Sequence, residues 1–207
     1  MMRSLTTTAL VAVLALGLSA CDQEVTGASS GRSQMEVAMR GDDAPGEAST
    51  SPTSGSRFSL EGGASGSVDV RARVWVETNA GAWVELTKGA ASETVQATGN
   101  DGAHLLATAE VDASQYHRVR VEFDRVQANV LGSITIGTSL LSGSVTVNSG
   151  SDGKIVVERE VACQARAGAT SHIEVNLNAQ EWLQRADTGT RAVAEAEFQN
   201  AVAITAS

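Results

Sequence analysis

From Val68 onwards, apolar and polar residues alternate with a period of two. Val68, Val70, Ala72, Val74 and Val76 are separated by Asp69, Arg71, Arg73 and Trp75, and Glu77 follows. This is the pattern of a half-buried strand with one wet face. Asn79-Ala80-Gly81 then turns the chain into Ala82–Thr87. A three-residue loop sets Val76 opposite Val84 and Val74 opposite Leu86, with Glu77 opposite Trp83 and Trp75 opposite Glu85, so all four aliphatic residues share one face. A two-residue loop would flip one strand and drive Glu85 into the core, so the hydrophobic pattern fixes the register. Gly81 occupies the loop position that requires a left-handed residue.

The same alternation predicts further strands. Val119, Val121 and Phe123 alternate with Arg118, Arg120, Glu122 and Asp124, and Arg125-Val126 breaks the parity, which predicts a bulge or bend. Met35–Met39 reads as a short first strand, and Ile173, Val175 and Leu177 as a late one. Val145 and Val147 are expected to pair with Val157 and Ile155 across Ser149–Gly153 as a second hairpin, and Arg191–Thr205 reads as a long closing strand. Leu105-Leu106-Ala107 suits helix or strand. The single helix signal is Asn178 followed by Glu181 and Trp182-Leu183, the pattern of a short capped helix. Short strands joined by Gly-rich turns, with no long helices between them, predict an all-β fold, an antiparallel β-sandwich with at most one short helix. Both prolines, Pro45 and Pro52, fall in a Gly-, Ser- and Thr-rich stretch at about 41–67, read as one long loop.

The N-terminus carries an address. Arg3 precedes an apolar stretch from Ala9 to Leu18, and Leu18-Ser19-Ala20-Cys21 closes it. The strongly apolar part is about ten residues, against roughly 20 for a bilayer span, so it reads as a signal peptide over residues 1–20. Leu18–Cys21 resembles the lipobox of bacterial lipoproteins. That resemblance implies cleavage before Cys21 and lipidation of Cys21, which would anchor an exported body to a membrane, in the periplasm or at the cell surface. Residues 21–33 then form the lipidated cysteine and a flexible tether, and 34–207 the sandwich domain. Twelve tether residues keep the body within about 20 Å of the lipid.

Composition narrows the function classes. The formal charge is −9, and loss of residues 1–20 removes one arginine and makes it −10. Nucleic-acid binding by phosphate neutralisation is thereby disfavoured. With Cys21 carrying lipid, Cys163 is left without a disulfide partner, in a strand context that suits a small buried hydrophobe. Gly27-Ala28-Ser29-Ser30-Gly31 matches a nucleophile-elbow pattern but sits in the tether, without the strand and helix that pattern needs. His104, His117 and His172 lack ligand spacing, so no metal or other cofactor is expected. Asp42, Asp43 and Glu47 form a small acidic cluster in the long loop, as do Asn148–Asp152 in a turn, and neither has the spacing of a calcium loop. Solvated turn residues are the simpler reading of both.

Asp43-Ala44-Pro45 after a first strand, Trp83-Val-Glu-Leu86 after a later one, Leu105-Leu106 ahead of Tyr116, and Arg118-Val-Arg120 beyond it resemble an uncharacterised family of exported bacterial and archaeal lipoprotein domains. The resemblance spans Met35 to Ile204. It implies a prealbumin-like or immunoglobulin-like sandwich and no particular chemistry.

With only 3 % aromatic residues, two of the three tryptophans fall on one outer face, where Trp75, Glu77, Trp83 and Glu85 make a candidate platform for a protein or glycan partner. The competing reading is that another layer covers this face. A non-enzymatic, lipid-anchored binding or structural module is the expected function. The alternative is an envelope hydrolase or metal-dependent enzyme built on Asp42, Asp43 and Glu47.

Overall fold

The computed structural model describes residues 31–42, 58–60, 65–97, 102–136 and 138–207. The leader, Cys21, the Gly27–Gly31 motif up to Ser30, and Asp43 and Glu47 lie outside the described residues.

The strands are β1 (Arg32–Arg40), β2 (Phe58–Leu60), β3 (Ser65–Thr78), β4 (Trp83–Glu85), β5 (Ala91–Gln96) and β6 (His104–Asp112), then β7 (Gln115–Ile136), β8 (Ser139–Val147), β9 (Ile155–Gln164) and β10 (Thr170–Asn176). Helix α1 (Ala179–Leu183), β11 (Ala192–Val193), α2 (Glu195–Ala201) and β12 (Ala203–Ala206) complete the chain. They form the expected all-β sandwich: a four-stranded sheet, β12-β10-β1-β6, against an eight-stranded one built on β7.

β7, at 22 residues, is the spine of the large sheet. One of its edges carries β2 and then β3; the other carries β8 and then β9. The inward faces make one core, in which Met35, Val37, Val68, Val74, Val76, Val119, Phe123 and Ile173 are buried.

The first hairpin has the expected register. Val76 opposes Val84, Glu77 opposes Trp83 and Trp75 opposes Glu85, while Leu86 N–H donates to the Val74 carbonyl at 2.8 Å. Gly81 has φ 79°. The parity break also appears: Arg71 opposes Arg125 but Ala72 opposes Phe123, so Asp124 is the extra residue of a bulge. Leu105–Ala107 is strand, paired with β1.

Five expectations are corrected. β8 and β9 do not form a hairpin; both run antiparallel to β7, end to end along one edge, so Ser149–Gly153 interrupts a continuing direction rather than reversing it. Val145, Val147, Ile155 and Val157 face inward in either arrangement, so parity could not distinguish them. The closing strand is broken by α2, because Glu195-Ala-Glu-Phe-Gln-Asn-Ala201 lacks a β-branched residue and favours helix, whereas Val193, Val202 and Ile204 flank it. There are thus two short helices. The small sheet is mixed: β1 lies parallel to β10 and antiparallel to β6. Finally, β1 starts at Arg32, inside the expected tether, and the expected loop at 41–67 contains β2 and the first residues of β3.

The helices pack by aromatic contact. Phe198 of α2 meets Phe123 edge-on at 5.1 Å and Trp182 of α1 at 5.6 Å, and Trp182 Nε1 donates to the Leu177 carbonyl at 3.1 Å. Asn178 precedes α1 with φ 45°, and its side chain does not cap the helix; its Nδ2 donates instead to the Ala201 carbonyl at 2.7 Å, tying α1 to the end of α2. Arg159 on β9 donates to the Val202 carbonyl at 2.9 Å, a cation where the helix leaves carbonyls unpaired. Among the described residues, no helix is long and apolar enough to cross a membrane.

Candidate functional site

Strand alternation places Trp75 and Glu77 of β3, and Trp83 and Glu85 of β4, on the outer face of the large sheet, as the sequence implies. That face is not covered by the small sheet, which packs against the opposite side. Trp75 and Trp83 are each partly exposed. Trp182, the third tryptophan, is fully buried in the core.

β7 and β9 add what the sequence reading missed. Across the sheet, Glu77 is opposite Arg118 and Arg118 is opposite the Glu160 position; one row away, Trp75 is opposite Arg120 and Arg120 is opposite Glu158. The side chains use this lattice. Arg118 makes a bidentate contact to Glu77, through Nε to Oε2 and through Nη2 to Oε1 at 2.9 Å, and its Nη1 lies 3.7 Å from Glu158. Arg120 Nε donates to Glu158 Oε1 at 2.6 Å. The Arg120 guanidinium stacks 4.2 Å from the Trp83 ring centroid and that of Arg118 5.6 Å, a double cation–π contact. His117 Nε2 completes the cluster, 3.2 Å from Glu77 Oε2. The signal for Arg118 and Arg120 was present in the sequence, since both alternate with Val119 and Val121, but the pairing of β7 with β3 could not be read locally.

Glu77 is only 5 % exposed. The hydrogen bond from Arg118 is the main reason its carboxyl titrates below the usual glutamate range, against the opposing effect of burial. A carboxylate with a lowered folded-state pKa contributes stability that is complete above the unfolded-state value and is lost as pH falls through the folded-state value. Thermal unfolding midpoints taken from about pH 6 down to about pH 3 should therefore fall more steeply for the native chain than for Glu77→Gln. Equal slopes would show that the ion network contributes nothing to acid stability.

Glu85 has a local role: its Oε1 accepts the Gly89 N–H at 2.8 Å and holds the turn after β4. Of the acidic cluster, Asp42 accepts a hydrogen bond from Gln180 of α1. Among the described residues, no three His, Cys, Asp or Glu side chains converge as a metal site would require. The histidines lie apart, His104 beside Glu93 and His172 beside Glu36, each at 3.3 Å. Cys163 is buried and forms no disulfide among the described residues, and burial pushes its thiol pKa up, away from the reactive thiolate.

The arrangement can therefore offer a ligand two indole surfaces over a rigid set of paired charges. No family model matches this chain, and neither a curated protein nor a solved structure does.

Proposed function

We propose that the chain is a non-enzymatic, lipid-anchored binding module of a bacterial cell envelope, tethered through Cys21 and recognising its partner with the outer face that carries Trp75, Glu77, Trp83 and Glu85. The observation that carries the binding surface is the pair of part-exposed tryptophans on a sheet face turned away from the small sheet, one of them stacked on arginines that are themselves fixed by carboxylates. Aromatic side chains held with few free rotors, next to polar groups already paired, lose little entropy on binding. The location rests on Leu18–Cys21 and the apolar stretch before it.

The two tryptophans make different predictions. Trp83 supports the Arg120 side chain, so Trp83→Ala should lower both stability and binding. Trp75→Ala should leave the unfolding midpoint nearly unchanged while reducing retention of the full chain on isolated cell-envelope material at least about tenfold, as expected for an aromatic contact at the centre of an interface. Undiminished retention in Trp75→Ala would remove the platform. For the anchor, growth with a labelled fatty acid should label the chain, and Cys21→Ala should abolish the label. Labelling that persists in that variant would defeat the lipid assignment.

A further inference from the structure

On the same outer face, one strand direction away from the tryptophans, lies an open groove of about 670 Å³ lined by Asp69 and Arg71 of β3, Ser92 and Thr94 of β5, and Asp124 and Arg125 at the β7 bulge. Its floor is fixed. Asp69 accepts the Thr94 hydroxyl at 2.7 Å through one oxygen and the Asn129 amide at 2.8 Å through the other. Arg71 and Asp124 stand 3.9 Å apart across it. Asp69, Arg71, Arg73 and Trp75 alternate along β3, so the groove and Trp75 share one face, with Arg71 about 13 Å and Asp69 about 20 Å from Trp75 at the rise of an extended strand.

Arg73 lies between them. It stands opposite Glu122, whose carboxylate is taken by Lys154 at 2.9 Å. Its Nε is buried without a hydrogen-bond partner, and the side chain makes no hydrogen bond or ion pair among the described residues. A buried N–H without an acceptor is costly, and the more exposed end of this guanidinium is free to take a ligand oxygen.

Resting on the binding role proposed above, we infer that this face takes an extended, neutral, hydroxyl-rich glycan strand lying along β3, with sugar rings on Trp75 and Trp83, a hydroxyl oxygen on Arg73, and further hydroxyls on Asp124, Ser92 and Arg125 of the groove. Three features select this occupant. Both edges of β3 are already paired, with β7 on one side and β4 and β5 on the other, so a peptide cannot add as a strand here. The groove is walled by charged and hydroxyl side chains, with Val70 as the single apolar residue of its lining. The charges on this face are mixed in sign, with Arg71 and Arg125 beside Asp69 and Asp124 and with Arg118, Arg120 and Lys154 paired to Glu77, Glu158 and Glu122, so it presents no single-sign field for a polyion.

The experiment is fluorescence titration of the full chain with cellohexaose and chitohexaose, their dimers and trimers, and acidic hexagalacturonate. Trp182 is buried, so a change in emission reports on Trp75 and Trp83. The expected result is saturable binding of a neutral hexamer, at least about tenfold tighter than its dimer, because roughly four rings are needed to span about 20 Å. Trp75→Ala and Asp124→Ala should each weaken it severalfold, with circular dichroism confirming the fold; the dependence on oligomer length keeps the test valid should either variant fail to fold. Dimer and hexamer binding equally, or Asp124→Ala binding normally, overturns the extended site. Preference for hexagalacturonate overturns the neutral ligand. No sugar binding, with Trp75-dependent retention on envelope material intact, overturns the glycan assignment and leaves the platform standing; loss of both overturns the two together.

Discussion

Phe198→Ala is expected to destabilise the chain by about 3–5 kcal/mol, the range for emptying a fully buried aromatic site. Phe198 is wholly buried and is the only link in the aromatic chain Phe123–Phe198–Trp182 that touches both other rings. Its loss leaves a cavity where α2, α1 and the large sheet meet. Neither neighbour can fill it without movement, because Phe123 is fixed on β7 and Trp182 is held by its hydrogen bond to Leu177. Urea unfolding should show a lower midpoint with an unchanged slope, the signature of stability lost without a change in exposed area. Glu197→Ala, exposed on the same helix, should shift the midpoint by about 0.5 kcal/mol or less. A Phe198→Ala cost below about 1 kcal/mol would show that α2 is not part of the cooperative core.

Gly41→Ala is expected to be comparably damaging, by overpacking rather than by a cavity. A Cβ at Gly41 would lie 1.8 Å from the Gln96 carbonyl oxygen and 2.7 Å from its carbon. These are backbone atoms at the end of β5, with no rotamer to change. Gly41 is also anchored, its carbonyl accepting the Ala179 N–H at 2.7 Å. Relief requires β1 and β5 to separate, and at least about 3 kcal/mol should be lost. Gly102→Ala is the control, since nothing lies within 4 Å of its Cβ position. A soluble Gly41→Ala chain with a native unfolding midpoint would mean that β1 and β5 tolerate separation.

What could be read in advance followed from local periodicity. Alternation with a period of two placed Val74, Val76, Val84 and Leu86 on one side of the first hairpin and Trp75 and Trp83 on the other, and Arg125-Val126 marked the bulge. Each of these depends on residues a few positions apart. The errors lie where two arrangements share one parity. Ile155 and Val157 face inward whether β9 folds back on β8 or continues past it, so only the pairing of both with β7 separates the two. In Arg191–Thr205 the alternation of small residues concealed helix propensity that Phe198 and Ala201 confirm by burying one helical face. The site was half legible for the same reason. The tryptophans follow from the hairpin, whereas Arg118 and Arg120 reach Glu77 and Trp83 only because β7 pairs with β3, a contact between residues about 40 positions apart.

The position of β7 at the centre of the large sheet also bears on how the chain reaches its native state. β3 finds its central partner only when residues 116–131 are available, and β1, which pairs with β6 on one edge, gains its other neighbour only with β10, which begins at Thr170, 136 residues after Gln34. Pairings of such long range must close large loops before they gain contacts, which places folding in the millisecond-to-second regime of non-local β proteins. The first described strand is therefore held on one edge by β6 well before β10 reaches its other edge, and the small sheet is complete only when residues 170–206 are present.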